Sequence, residues 1–139
     1  MERTYTTPLL DKLGVKPGAR VAILDVPDAD FRALLADRTA DITDGLPAPE
    51  TDIIFLAADS TDELLRIGSL QESLVPNGAI WVVSRKGKAA TLRDVDVIDA
   101  AKAVGLVDNK VVSFSPTHTA LRLVIPVARR AGHSERGRR

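Results

Sequence analysis

The sequence contains no cysteine and only two histidines, His118 and His133. The lack of cysteine excludes disulfides, thiolate zinc sites and cysteine nucleophiles. The two histidines do not stand in an HxxxH or HExxH spacing, and no carboxylate loop for calcium is recognisable. GxSxG and SxxK motifs are missing too, which argues against a nucleophilic hydrolase. From these absences we predict no metal site and assign no catalytic residue.

Long apolar runs are missing as well. The longest are strand-sized, such as residues 53–58, whereas a membrane-spanning helix needs about 20 apolar residues. The N-terminus does not combine a charged segment with an apolar one, which is the pattern of an export signal. These absences predict a cytoplasmic protein that makes no membrane interaction.

The length of 139 residues suits one domain. We predict that this domain covers residues 6–128. Residues 129–139 contain five arginines and no apolar run, so we expect them to form a disordered basic tail.

The net charge is zero, but the charges are unevenly distributed along the chain. Residues 28–72 contain eleven acids and three bases, while residues 73–139 contain twelve bases and five acids. Such asymmetry bears on partners and association rather than on fold. We favour the interpretation of two solvated faces over that of a binding surface.

The first third of the chain alternates helix and strand signals. Thr7 and Pro8 predict the start of a short helix that ends at Gly14. A strand is predicted over residues 20–26, an amphipathic helix over residues 28–37 and a short strand over residues 40–43. The helix over 28–37 is expected to bury Phe31, Leu34 and Leu35.

The rest of the chain continues the alternation and closes with a hairpin. The uninterrupted apolar run at 52–58 predicts a central strand that is buried on both faces. A helix is predicted from the Ser60–Glu63 capping box to Pro76, with a buried stripe of Leu64, Leu65, Ile67 or Gly68, and Leu70 or Leu74. The further elements are a strand over 78–84 with Trp81, a helix from Thr91 and Asp94 to Gly105, and strands over 109–114 and 119–127. This order predicts an α/β domain with a mostly parallel sheet, a terminal antiparallel hairpin and helices on both faces.

The chain resembles class I methyltransferase-like Rossmann domains across about 120 residues, and three segments carry the resemblance. They are LGVKPG at 13–18, LVPNG at 74–78 and the closing hairpin. More narrowly, GLVDNKVVSF from Gly105 and LRLVI from Leu121 resemble a family of small bacterial proteins with a reduced methyltransferase-like domain of unknown function. The resemblance implies a single Rossmann-like domain and no particular activity. The hairpin connection SPTHTA departs from the acidic, tryptophan-bearing stretch of that family.

The loop after the first strand also departs from the methyltransferase pattern. Pro27, Asp28, Ala29 and Asp30 stand where a glycine-rich cofactor loop would be expected. Glycines there allow positive φ and close approach of the backbone to the cofactor, which proline and residues with a Cβ resist. We therefore predict no cofactor, and in particular no appreciable binding of S-adenosylmethionine.

Any ligand of such a sheet is expected outside the carboxyl ends of its parallel strands. The predicted binding residues at this rim are Asp25, Asp28, Asp59, Arg85, Lys86, Lys88 and His118. Each has a structural alternative, because Asp28 and Ser60 are good helix N-caps, Asp25 can stabilise a turn, and an isolated loop histidine is usually only polar.

The SRKGK segment at 84–88 is the strongest candidate for anion binding. With Arg93 it places cations before a predicted helix, whose N-terminus favours negative charge. The Ser115–His118 connection would form the opposite wall, and His118 could act as a base beside Asp25 or Asp59. A solvated basic loop is the favoured alternative, because no phosphate-loop spacing is present.

Three functions are consistent with these observations. We favour a non-catalytic methyltransferase-like module that binds a protein partner, a second copy of the chain, or a small anion. The first alternative is an S-adenosylmethionine-dependent methyltransferase with an atypical cofactor loop, in which Asp41 or Asp44 would follow the second strand. The other is a nucleic-acid-associated protein that uses the basic loop and tail, although few aromatics are available for base stacking.

Overall fold

A computed structural model describes residues 8–132. Six strands form one sheet in the order β2-β1-β3-β4-β6-β5. The strands are β1 (Val21–Leu24), β2 (Ile42–Asp44), β3 (Thr51–Ala57), β4 (Leu74–Arg85), β5 (Val107–Ser113) and β6 (His118–Val124). The helices are α1 (Leu9–Lys12), α2 (Ala29–Arg38), α3 (Thr61–Leu64), α4 (Ile67–Leu70) and α5 (Asp94–Ala103). Within the described range, no helix is long and apolar enough to cross a membrane.

The sheet is mostly parallel with one reversed strand. β1 pairs in parallel with β2 and β3, and β3 pairs in parallel with β4. β6 runs antiparallel between β4 and β5. The predicted fold, a Rossmann-like α/β domain with a terminal hairpin, is confirmed.

The two faces of the sheet are covered by different helices. Ile54 and Ile80 pack with α3, α4 and α5 on one face, whereas Phe55 and Trp81 pack with α1 and α2 on the other. Because both faces are covered, successive residues of β3 and β4 are all apolar over most of their length.

Trp81 ties the first helix to the centre of the sheet. Its side chain is fully buried, and its Nε1–H donates to the carbonyl oxygen of Leu13 at 3.0 Å. The bond satisfies both polar groups in a region that water does not reach. It also fixes the LGVKPG segment, which follows α1, against β4.

Several predicted element bounds are wrong. The helix expected from Ser60 to Pro76 consists of α3, α4 and a 3₁₀ turn over Gln71–Ser73, and β4 already begins at Leu74. Leu74 pairs with Thr51 of β3, so strand pairing overrides the helical pattern there. Leu65 is 78% exposed and Leu34 is 46% exposed, so neither belongs to a buried stripe.

The helix starts also differ from two of the predictions. Pro8 is the N-cap of α1 rather than its first residue, and Thr7 lies outside the described residues. The N-cap of α5 is Arg93, while the Thr91 hydroxyl donates to the carbonyl oxygen of Asp59 instead.

The chain continues past residue 128 in contact with the domain. Residues 127–129 form a 3₁₀ turn. The guanidinium of Arg129 donates to the Gly105 carbonyl oxygen, and Arg130 Nε donates to the Ile125 carbonyl oxygen at 2.9 Å. The expected tail therefore starts with two anchored arginines, and its residues 133–139 lie outside the described residues.

Replacing Trp81 by phenylalanine should lower the free energy of unfolding by about 2–3 kcal/mol. The variant loses the indole hydrogen bond and leaves the Leu13 carbonyl unsatisfied, and it also loses buried volume. Urea denaturation measures the change. A loss below about 0.5 kcal/mol would show that the bond to Leu13 contributes little.

Two truncations should separate the anchored residues from those that follow. Ending the chain after Gly132 should leave the melting temperature unchanged, because residues 133–139 contain no apolar side chain to bury. Ending it after Ala128 removes both arginine contacts and should lower the melting temperature by roughly 3–8 °C. Equal melting temperatures for the two truncated proteins would mean that these contacts do not stabilise the domain.

Candidate functional site

The carboxyl rim of the sheet collects most of the predicted binding residues. Asp25 follows β1, Asp59 follows β3, Arg85 ends β4 and His118 begins β6. Arg85 is in register with His118, and its backbone N–H donates to Asp59 Oδ1 at 3.0 Å. The structure therefore places Asp59, Arg85 and His118 side by side on one rim.

The connection from β1 to α2 is short and closed by its own side chains. Asp25 adopts a φ of 65°, a left-handed conformation that aspartate tolerates better than most residues. Val26 is buried, and Asp28 then caps α2 by accepting the Phe31 N–H on its Oδ1 at 2.9 Å. The carboxylate of Asp28 thus occupies the helix N-terminus, where an anionic ligand group would otherwise bind.

Phe31, in the first turn of α2, anchors this connection to the core. Its ring centroid lies 4.9 Å from that of Phe55 and 4.7 Å from that of Phe114. The ring is almost completely buried. The first turn of α2 therefore cannot shift outward to make room for a cofactor without exposing an aromatic side chain.

The acids of the rim already have basic partners. Asp25 pairs with Arg66 at 3.1 Å, and the Asp59 carboxylate lies 3.5 Å from Arg85 Nε. Both pairs are partly exposed, so each contributes at most about 1 kcal/mol and can open. A ligand would have to compete with Arg66 for Asp25 and with Arg85 for Asp59.

The two acids considered for the second strand lie at opposite ends of β2. Asp44 ends β2 at the carboxyl rim, where Arg32 of α2 binds it through two hydrogen bonds of 2.9 and 3.2 Å. Asp41 precedes β2 at the amino end and accepts from Arg20 Nε at 3.0 Å. The hydrogen bond and the charge of Asp41 raise the pKa of Arg20. Only Asp44 is placed at the rim, and it is bound by an arginine.

The basic loop extends from the end of β4. Lys86 Nζ donates to Ser113 Oγ at 2.7 Å, and the Lys86 N–H donates to the Thr117 carbonyl oxygen at 3.0 Å. Gly87 has a φ of 69°, and Lys88 in the turn that follows is exposed. Lys88 is thus the cation of this loop whose ammonium is held by no partner among the described residues.

The helix after this loop does not offer a free N-terminus. Asp94 and Asp96 occupy the first turn of α5, and Asp96 accepts from both the backbone and the guanidinium of Arg93. The backbone hydrogen bond from Arg93, together with its side chain, lowers the pKa of Asp96. The predicted anion site stays a prediction, but its helix contribution is already taken by acids of the chain.

His118 is held by its own turn. Thr117 Oγ1 lies 2.8 Å from His118 Nδ1, and the His118 N–H donates to Ser115 Oγ at 3.1 Å. No hydrogen bond joins His118 to Asp25 or Asp59, all of which are described residues. The acid–base pair considered from the sequence is therefore not assembled in this structure.

The rim does not fit S-adenosylmethionine in the manner of a glycine-rich loop. Pro27 lacks an N–H, Asp28 fills the start of α2 with its own carboxylate, and Phe31 fixes the turn from below. Among residues 8–132, no group of three or more histidine, aspartate or glutamate side chains could hold a metal ion.

Solved structures with a similar fold include methyltransferases. An S-adenosylmethionine-dependent methyltransferase from Aquifex aeolicus superposes with a TM-score of 0.66 at 12% identity, over 85% of this chain and 88% of that one. Magnesium protoporphyrin IX methyltransferase from Synechocystis PCC 6803 gives 0.54 at 11% identity, over 85% and 74%. The pyocyanin biosynthetic protein PhzM gives 0.57 at 14% identity over 84% of this chain, which spans 53% of PhzM.

The fold is methyltransferase-like. No protein-family model matches the sequence, and no curated protein matches it. At identities of 10–14% the likeness concerns the fold, and the chemistry of the methyltransferase-like domain has to be argued from its own residues.

Arg122 is a residue that sequence reasoning missed. It lies in β6 between the buried residues Leu121 and Leu123, and it lines a cleft at the amino end of the methyltransferase-like sheet. The signal was present in the LRLVI segment, where a single arginine interrupts an apolar strand. Arg122 lines a cleft only because the 13–19 loop lies beside it, and the sequence does not show that these two segments are neighbours.

A set of substitutions separates capping from ligand binding at the rim. Asp28→Ala should lower the free energy of unfolding by about 1 kcal/mol, whereas Asp28→Asn should cost much less, because asparagine also caps helices. Asp25→Asn should change it by less than about 0.5 kcal/mol, because the pair with Arg66 is exposed. Urea denaturation of the three variants measures this. An Asp28→Ala variant as stable as the parent would show that this carboxylate does not serve as the cap.

Proposed function

We propose that the chain is a non-catalytic methyltransferase-like module whose role is binding. The observation that carries the proposal is the closed connection between β1 and α2. Asp28 caps the helix there, and Phe31 packs between Phe55 and Phe114. In this proposal the chain has the sheet and helices of a methyltransferase-like domain, but its connection between β1 and α2 does not bind a cofactor.

The free-energy cost of remodelling the connection between β1 and α2 supports the non-catalytic proposal. Opening the Asp25–Arg66 and Asp59–Arg85 pairs would cost at most about 1 kcal/mol each. Displacing Phe31 from the core would cost far more, on the order of 3–5 kcal/mol. Micromolar binding corresponds to about 8 kcal/mol, so a cofactor would lose a large share of its binding free energy on remodelling this turn.

The binding partner in this proposal carries negative charge. Lys88 is exposed and has no ion-pair partner among residues 8–132, and Lys86 and His118 lie on the same rim. A small anion or an acidic segment of a protein partner would contact them. Membership of the family of small bacterial proteins with a reduced methyltransferase-like domain, and a cytoplasmic location, complete the proposal.

A second candidate function is S-adenosylmethionine-dependent methyl transfer. It is supported by the structural neighbours, which include an S-adenosylmethionine-dependent methyltransferase covered over 88% of its length. Asp25, with its positive φ at the end of β1, and Asp44 at the end of β2 are the rim acids available for it. To bind the cofactor, each carboxylate would have to break its ion pair, Asp25 with Arg66 and Asp44 with Arg32.

Titration with S-adenosylmethionine distinguishes the two functions. We expect isothermal titration to show no binding heat, and thermal denaturation to show no shift, at about 1 mM ligand. The Aquifex methyltransferase, measured in the same buffer, is the positive control. A dissociation constant in the micromolar range would overturn the non-catalytic proposal in favour of the methyltransferase.

A further inference from the structure

A cleft of about 530 Å³ opens at the amino end of the sheet, opposite the rim. Its walls are the 13–19 loop, the start of β3, the first half of β4 and Arg122 of β6. Small-molecule sites in proteins are typically clefts of roughly 300–1,000 Å³ with mostly apolar walls and a few polar groups. The cleft has this size, and its walls combine apolar residues with the polar side chains of Lys16, Asp52, Asn77 and Arg122.

Arg122 is the main charged group of the cleft. It is partly buried, stands in register with Trp81 of β4, and donates from Nη1 to Asn109 Oδ1 at 3.3 Å. No carboxylate of residues 8–132 forms an ion pair with it, so most of its guanidinium N–H groups have no acceptor on the described chain. Burial, and then the charge of Arg130, lower the pKa of Arg122. A half-buried cation without a counter-ion is costly, and an anionic ligand would relieve that cost.

Further cations surround the same cleft. Lys16 lines it, and Lys12 and Lys110 line an adjoining groove that shares Leu13, Gly14 and Arg122 with it. None of the three lysines forms an ion pair with a carboxylate of the described residues, although Lys110 Nζ donates to the Lys12 carbonyl oxygen at 2.8 Å. The local charge is therefore positive.

Two acids lie near these cations, and neither pairs with Arg122. Asp52 lines the cleft itself, and its Oδ2 accepts the Arg20 backbone N–H at 2.9 Å. Asp11, in the adjoining groove, pairs with Arg38 at 3.1 Å. Asp52 keeps its negative charge, but Arg122 and Lys16 in the cleft, with Lys12 and Lys110 in the adjoining groove, outnumber these two acids.

We propose that this amino-end cleft binds a phosphate monoester, with the phosphate on Arg122 and the apolar body of the ligand against the accessible side chains of Pro17, Ala19 and Val75. Arginine presents paired donors that match phosphate oxygens, and the surrounding lysines favour a doubly charged group over a carboxylate. The inference does not depend on the proposed function, because the cleft and the rim lie at opposite ends of the strands.

Trp81 provides the readout, because it is the single tryptophan of the chain and its indole N–H is bonded to the loop that lines the cleft. Phenyl phosphate is titrated into the full chain labelled with ¹⁵N, with inorganic phosphate and phenol in separate arms. We expect saturable shifts of the Trp81 indole resonance and of the amides of residues 13–19, with a dissociation constant below about 1 mM. Inorganic phosphate should bind more weakly, and phenol should cause no saturable shift.

Charge-removing variants locate the site. Arg122→Gln should weaken binding of phenyl phosphate at least about tenfold, while the matched control Lys88→Gln, on the opposite rim, should leave it unchanged. Should Arg122→Gln fail to fold, the double variant Lys16→Gln/Lys110→Gln is expected to weaken binding several-fold. The proposal is overturned by an absence of saturable shifts up to about 10 mM, by unchanged affinity in Arg122→Gln, or by loss of binding in Lys88→Gln.

Discussion

The packing of Phe31 against Phe55 and Phe114 determines what the carboxyl rim can do. This contact holds the first turn of α2 directly below the end of β1. The connection from β1 to α2 is therefore short. Asp25 turns the chain with a positive φ, and Asp28 caps the helix that follows. The carboxyl rim of this methyltransferase-like sheet is thereby occupied by the chain's own side chains.

The two ends of the sheet differ in how their charges are used. At the carboxyl rim, Asp25, Asp44 and Asp59 each have an arginine partner. At the amino end, Arg122 and the lysines around it have no carboxylate partner among the described residues, and a cleft of about 530 Å³ lies beside them. Unsatisfied charge next to a cavity is the stronger indication of a ligand, because burying charge without a partner is costly.

Sequence reasoning reached the architecture because local signals agree with the fold. A few adjacent residues are enough to predict each apolar run, in β3 and β4, and each helix cap, at Asp28 and Ser60. It failed where distant pairing decides, as at Leu74, which joins β3 through Thr51 instead of extending a helix. The predicted rim residues could be listed from the strand ends, and their binding role stays a prediction. Their arginine partners and the cleft around Arg122 depend on contacts between segments far apart in sequence.

Amide hydrogen exchange of residues 25–31 tests the central claim most directly, namely that the connection between β1 and α2 is closed by the chain itself. The account predicts that the Phe31 amide, which Asp28 accepts, is protected in the free protein. It also predicts that exchange across this segment stays the same when S-adenosylmethionine is added. Rapid exchange of Phe31 in the free protein, or slower exchange of the segment with the cofactor, would contradict it.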